Sequence, residues 1–239
     1  MTEQPSSIRS TGQDSHPAAK TYRVFKTPHP IPVNGDVEKP VWQQTAALEI
    51  ACAQPKTGSH CPRTHVKVRY DDDFVYVLFQ TADQFVRAVA MDTHGEVWKD
   101  SCVEFFFTPQ CDLSKGYFNL EINCIGTLLM RYQAAPNDRI RYVDKNDCGQ
   151  IRVAASMAHR AIPSEIQTPV VWTVECALPV AILRHYAAVE QPRPGVVWRA
   201  NFNKCADDCS RPHWLSWSPV LTAFPDFHRP DCFGRLEFQ

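Results

Sequence analysis

The stretch "VWKDSCVEFFF", residues 97–107, sets Trp98, Asp100 and Glu104 around the head of an apolar run. Two carboxylates can work as general acid and base, hold a metal, or stand beside a pocket floored by an indole. Side chains alternate faces along a strand, so Asp100, Cys102, Glu104 and Phe106 share one side and Val103, Phe105 and Phe107 the other. Asp100 and Glu104 then lie about 13 Å apart by backbone rise. Glycosidase pairs sit roughly 5–5.5 Å or 6.5–9.5 Å apart, so this pair fails on spacing. Glu121 is a better partner. In "GYFNLEINCIG" (116–126) alternation sets Glu121 and Asn123 with Tyr117 and Asn119, against Phe118, Leu120, Ile122 and Cys124. If the two runs are antiparallel neighbours, Glu104 and Glu121 face one another with Cβ atoms roughly 4.5–5.5 Å apart. Two facing carboxylates cost energy unless a ligand, a cation or a proton lies between them.

"VVWRANFNK" (196–204) adds a third polar row, Arg199, Asn201 and Asn203, opposite Ala200 and Phe202. Amides and carboxylates on one sheet face, with an indole near a strand end, make a surface suited to sugars. The ring covers apolar C–H patches while the planar polar groups take hydrogen bonds from adjacent hydroxyls. The plainer reading is a solvated sheet face, with Trp98 plugging the core. Trp214 and Trp217 in "HWLSWSP" are three apart, so a strand puts them on opposite faces, one in the core and one near the surface. His228, beside Phe227, is either a pocket wall or a structural hydrogen-bonder.

Ten cysteines are present, with no CxxC. Cys205, Cys209 and His213 recur every four residues, but "RANFNKCADDCSRP" reads as strand then loop, which does not gather them into a zinc face. Cys52 and Cys61 bracket a loop and could pair in an oxidising compartment, although the expectation here is reduced thiols.

The elements that must position these groups are short strands punctuated by nineteen prolines and nine glycines. "THVKVRY" (64–70), the acidic turn "YDDDF" (70–74) and "FVYVLFQT" (74–81) read as a hairpin. Further runs follow at 101–109, 127–133, 151–157, 170–178, 213–219 and 234–238, and one short helix is expected at 179–186. With so little helix between strands, the fold class is all-β: an antiparallel β-sandwich of jelly-roll or immunoglobulin-like two-sheet form, with at most one or two short helices. The expected organisation is a disordered tail over 1–20 and a single domain over 21–239.

The formal net charge of −1 over 239 residues, with no basic concentration, speaks against nucleic acid and anionic membranes as partners. No run approaches the 18 or more apolar residues of a membrane span, and the N-terminal stretch lacks a secretory signal's apolar core. As written, the chain reads as cytoplasmic, or as extracellular or periplasmic if a signal has been removed.

Taken together, "IPVNGDVEKPVWQQTA" (31–46), "YDDDFVYVLFQTAD", "VWKDSCVEFFFTP", "YFNLEINCIG" and the closing "FHRPDCFGRLEF" resemble carbohydrate-binding module family 9 and its relatives, in order over about residues 22–239. The resemblance implies a sandwich in which two aromatic rings clamp a sugar above polar residues of the sheet. By position it makes Trp98 one ring and Phe227 the other, Glu104 the sugar-binding acid and Asn123 an amide ligand. Asn201 is added from the polar row, and Glu121 stands where sugar-binding members tend to carry a basic residue. Phe227 likewise stands where they tend to carry tryptophan. The expected function is a non-catalytic domain recognising a mono- or oligosaccharide. Two alternatives stand beside it: a glycoside hydrolase using Glu104 and Glu121, and a noncovalent haem domain drawing on Met91, Met130, Met157 or a histidine. No cofactor is certain. Relatives bind structural calcium, for which the turn Asp71, Asp72, Asp73 is the candidate and an acidic solvated turn the plainer reading.

Overall fold

The computed structural model describes residues 19–239, and most of the expected N-terminal tail lies outside the described residues. The strands are β1 (Thr21–Lys26), β2 (Leu48–Ile50), β3 (Cys52–Ala53), β4 (Arg63–Tyr70), β5 (Phe74–Asp83), β6 (Val86–Ala88), β7 (Cys102–Thr108) and β8 (Tyr117–Asn123). They continue as β9 (Leu128–Gln133), β10 (Arg141–Tyr142), β11 (Arg152–Ala155), β12 (Ile162–Ile166), β13 (Val170–Pro179), β14 (Val197–Ala206), β15 (His213–Ser216) and β16 (Gly234–Phe238). The α-helices among the described residues are single turns, at Pro40–Gln43, Lys145–Cys148 and Val180–Leu183. The expected helix over 179–186 shrinks to the last of these, because Pro179 still belongs to β13 and four residues make no self-supporting helix. The protein is mostly β with few short helices.

Hydrogen-bonded neighbours run β10-β9-β8-β7-β14-β16-β1-β4-β5-β13-β11, with β15 beside β14 and β2 beside β4. The hairpin expected around the acidic turn is β4 with β5, in register from Arg63↔Ala82 to Tyr70↔Val75. β1 makes the corner of the sandwich. Thr21–Val24 pair in parallel with β16, then Phe25 and Lys26 pair in parallel with β4, so one strand belongs to both layers. Parallel pairing is free of the tight-turn constraint here, because neither partner adjoins β1 in the chain.

Alternation sorts residues between the layers. Val103, Phe105 and Phe107 of β7, Phe118, Leu120 and Ile122 of β8, and Trp198, Ala200 and Phe202 of β14 face the other layer. There they meet Val66 and Val68 of β4, Val77 and Phe79 of β5, and Trp172 and Val174 of β13. Phe105 stacks on Phe202 at 4.9 Å between ring centres, and Phe107 on Trp198 at 5.6 Å. Lys204 continues the inward-facing set of β14 and is therefore buried between the layers. Its Nζ lies 3.4 Å from Asp83 Oδ2, a pair with no exposed side-chain surface, and 2.7 Å from His213 Nε2.

The outer face of the β5–β13 layer is roofed by residues 31–43, with Ile31 and Trp42 packed on Tyr76, Leu78 and Ala177. Glu175 on β13 is the anchor, accepting hydrogen bonds from Asn34 N, Gly35 N, Trp42 Nε1 and Lys39 Nζ at 2.6–2.9 Å. Gly35 has φ +77°, a conformation L side chains rarely adopt. The glycine and tryptophan of the opening motif thus serve one buried carboxylate.

Candidate functional site

The outer face of the other layer carries Cys102, Glu104 and Phe106 of β7, Glu121 of β8, Arg131 of β9, and Asn203 and Cys205 of β14. β7 lies between β8 and β14, with Glu104 directly opposite Glu121 on one side and Asn203 on the other. This face is not solvated. Two segments roof it, the turn Val97–Lys99 that bears Trp98 and residues 225–228, while β15, paired with β14 in the same sheet, raises Trp214 opposite Cys205 as a side wall. Between them lies a cavity of about 300 Å³, lined by Trp98, Phe227 and His228 from the roof, by Trp214 at the side and by Glu104, Glu121, Arg131 and Phe106 from the sheet. Asp207 and Asp226 complete its rim.

Backbone bonds hold the roof: Trp98 O accepts from Asp207 N at 3.3 Å, and Lys99 O from Asp208 N at 3.0 Å. Trp214 Nε1 donates to Asp207 Oδ1 at 2.7 Å, which fixes the indole at the rim. His228 Nδ1 is 2.8 Å from Tyr117 Oη and 3.1 Å from Gln133 Nε2. Burial, with Arg131 nearby, lowers the His228 pKa to about 4, so the ring is neutral at pH 7.

On the floor, Glu104 Oε2 accepts from Asn203 Nδ2 at 3.2 Å and Oε1 from Cys205 Sγ at 3.2 Å. Glu121 Oε1 accepts from Asn119 Nδ2 at 2.7 Å and Arg131 Nη2 at 3.1 Å. Burial, and then the facing Glu121, hold Glu104 well above the usual carboxylate range. Burial raises Glu121 too, with Arg131 opposing it. A floor of this kind both donates and accepts hydrogen bonds, depending on which carboxyl holds a proton.

Trp98, Glu104, Glu121 and Phe227, with His228 that the sequence offered as a pocket wall or a structural hydrogen-bonder, line this one cavity. Asn123 and Asn201 do not line it. Asn123 gives Nδ2 to Ala90 O and Asp100 Oδ2 and takes Thr127 N, while Asn201 binds both Ser218 N and Ser218 O. Both amides tie loops to strand ends. Asp100 has the same role, accepting from Val89 N and Ala90 N. Phe227 is 8% exposed and stands edge-on to Phe106 at 6.4 Å, more a packed wall than a free platform. The half-buried Trp214 is the second indole, while Trp217 lies in the core, as their three-residue spacing implies.

Arg131, Asp207 and Asp226 are lining residues that sequence reasoning missed, and Trp214 was placed by it only as one of a core and near-surface pair, not in the cavity. Arg131 was legible: in "TLLMRYQ" an inward Met130 puts Arg131 on the polar face. It brings a guanidinium to Glu121, 3.1 Å from Oε1.

The other sequence-level candidates are dispersed. Cys205 donates to Glu104, Cys209 to Ala206 O, and His213 contacts Lys204. Cys52 and Cys61 are free thiols bonded to Trp217 O and Gly58 O. Met130 is sealed in the core and Met91 stands exposed. The acidic turn does not fit calcium: Asp71 accepts from Asp73 N, Phe74 N and Tyr76 Oη, and Asp72 pairs with Lys26. Calcium needs six or more converging oxygens.

A two-layer β fold with an aromatic-rimmed, carboxylate-floored cavity on one sheet face defines a class of small-ligand binding domains. The chain belongs to carbohydrate-binding family 9, whose pattern matches residues 38–238. No curated protein matches it. A solved structure from Bacteroides uniformis, provisionally named a carbohydrate-binding protein, is 28% identical, with a TM-score of 0.83 over 93% of this chain and 100% of that one. A carbohydrate-binding module family 9 from Caldicellulosiruptor kristjanssonii in complex with glucose is 15% identical, with a TM-score of 0.60 over 92% and 96%. The module from that organism in complex with cellotriose is 14% identical, with a TM-score of 0.60 over 92% and 94%. At these identities the two modules show the fold.

Proposed function

We propose that this protein is a non-catalytic carbohydrate-binding domain that takes one end of a neutral mono- or short oligosaccharide into the cavity between Trp98 and Trp214. The observation that carries the reading is that two half-buried indoles, Trp98 and Trp214, line one cavity of about 300 Å³ with Glu104, Glu121 and Arg131. That volume is at the low end for small-ligand sites. The indoles cover sugar C–H faces while the carboxyls and the guanidinium pair with hydroxyls. Family membership and the glucose and cellotriose complexes of the Caldicellulosiruptor module support the same reading. A two-sheet jelly-roll arrangement, with one sheet presenting the ligand face, agrees with it.

Hydrolysis is the weaker reading. Glu104 and Glu121 stand side by side on one floor and approach a ligand from the same direction. Glycosidases place their carboxyls on opposite flanks of the scissile bond. Calorimetry across neutral hexoses and their oligomers tests the proposal. Heat of binding from at least one sugar, weakened in both Trp98→Ala and Trp214→Ala, is expected. Silence across the whole panel would overturn it.

A further inference from the structure

Four residues on adjacent strands make a two-by-two patch beneath the cavity. Cys102 lies directly opposite Cys205, and Glu104 directly opposite Asn203, across the β7–β14 ladder. Their side chains share one sheet face. One ligating atom each of Cys102, Glu104 and Cys205 lies within 4.8 Å of the others, all buried. The fourth corner, Asn203, is fully buried, and its Oδ1 has no hydrogen-bond partner. Glu121 Oε2, on the far side of Glu104, is a second buried oxygen without one. Two sulfurs and one carboxylate oxygen therefore converge, with an unpaired amide oxygen on the fourth residue of the patch, where nature ordinarily leaves buried polar atoms paired.

We propose that this patch binds a thiophilic divalent cation of the zinc class, held by Cys102 Sγ, Cys205 Sγ and a Glu104 oxygen, with Asn203 Oδ1 or a molecule in the cavity as fourth ligand. Zinc takes four ligands tetrahedrally from sulfur, nitrogen and oxygen, at about 2.3 Å to sulfur and about 2.0–2.2 Å to oxygen. Sulfur ligands argue against calcium and magnesium, which take oxygen. The three atoms lie within 4.8 Å of one another, against an edge of about 3.3–3.8 Å for a tetrahedron with those bond lengths, so side-chain rotations complete the site. The chemistry balances as an exchange of protons for metal. Cys205 now directs its thiol proton at Glu104 Oε1; the ion replaces that proton, the Cys102 proton and, where Glu104 is protonated, its carboxyl proton, and all are released to solvent. Asn203 Nδ2, donating to Glu104 Oε2, already orients the carboxylate for this role. Cys205 and Glu104 line the cavity, which is the route in. The inference stands whether or not the cavity takes a sugar.

Cobalt(II) titration of the reduced, metal-free protein is the test. One equivalent should give the near-ultraviolet thiolate-to-cobalt charge-transfer band and the intense visible bands of a tetrahedral ion, and zinc should bleach both. Exposed thiols are the competing source, so the band must survive Cys61→Ser with Cys111→Ser. It must vanish in Cys102→Ala and Cys205→Ala variants that circular dichroism shows to be folded. Should either alanine variant not fold, Glu104→Gln, which keeps the side-chain volume, must weaken cobalt binding at least tenfold. A folded wild-type protein without the charge-transfer band, or an undiminished response in the folded variants, overturns the proposal.

Discussion

Replacing Trp98 by alanine removes one ring from the cavity while leaving its support in place. The turn that bears it is held by backbone bonds, with Trp98 O accepting from Asp207 N and Lys99 O from Asp208 N, and alanine keeps that carbonyl. Binding loss then reports the ring alone. A tryptophan side chain offers about 150–250 Å² of surface to bury, and roughly two thirds or more of Trp98 is already covered in the free protein. At most about 50–90 Å² remains for a ligand, which at about 25 cal/mol per Å² comes to about 1.3–2.2 kcal/mol. A sugar covers one ring face only, so we expect about 1–1.5 kcal/mol, a rise in Kd of roughly 5- to 13-fold. Isothermal titration calorimetry with the best sugar of the panel measures it, and urea denaturation checks that stability has changed by less than about 1 kcal/mol. A folded variant whose Kd moves less than threefold would refute the claim that Trp98 is a binding platform.

Three further outcomes follow from charges and burial. The cavity carries Glu104, Glu121, Asp207 and Asp226 against Arg131 as its cation, so a uronic acid should bind at least tenfold more weakly than its neutral hexose at low salt. Equal affinities would contradict the acidic-cavity reading. Asp83 and Lys204 form a pair with no side-chain exposure, so Asp83→Asn should cost about 3–5 kcal/mol in urea denaturation by leaving a buried ammonium unpaired. Adding Lys204→Met should recover part of that loss, and strict additivity of the two changes would show that the pair is not coupled. His228 has a folded pKa lowered to about 4 from an ordinary 6.5, so the unfolded chain binds its proton first. Its contribution to stability is therefore present above pH 6.5 and lost as the pH falls towards 4. The stability advantage of wild type over His228→Gln should shrink across that window, and a pH-independent difference would exclude a buried neutral ring.

Much of the sheet was legible because its information is local. A two-residue period places Val103, Phe105 and Phe107 inward and Glu104 outward whatever lies elsewhere in the chain. A short Gly-containing connection between β7 and β8 makes them antiparallel neighbours and sets Glu104 opposite Glu121. Asn123 and Asn201 were harder. Periodicity gives the face of an amide but not its partners, and loops supply most of them: Ala90 O, Asp100 Oδ2 and Thr127 N for Asn123, and Ser218 N and O for Asn201. Lys204 was illegible for a related reason. Nothing in "NFNKCA" pairs a lysine with Asp83, whose carboxylate makes its burial tolerable from the opposite layer.

The sequence by itself determined which residues can share a sheet face, where strands end, and that a glycine and a tryptophan near the start have a defined place. Each follows from steric rules acting over a few residues. Only the tertiary structure decided that the polar face is roofed rather than solvated, because the turn at Trp98 and the segment with Phe227 come from separate parts of the chain and meet over it beside Trp214. Burial under that roof is what raises the carboxyl pKa values, brings Arg131 to Glu121 and sets Cys102, Glu104 and Cys205 around one point. Desolvation depends on everything that surrounds a group, and no local spacing encodes it.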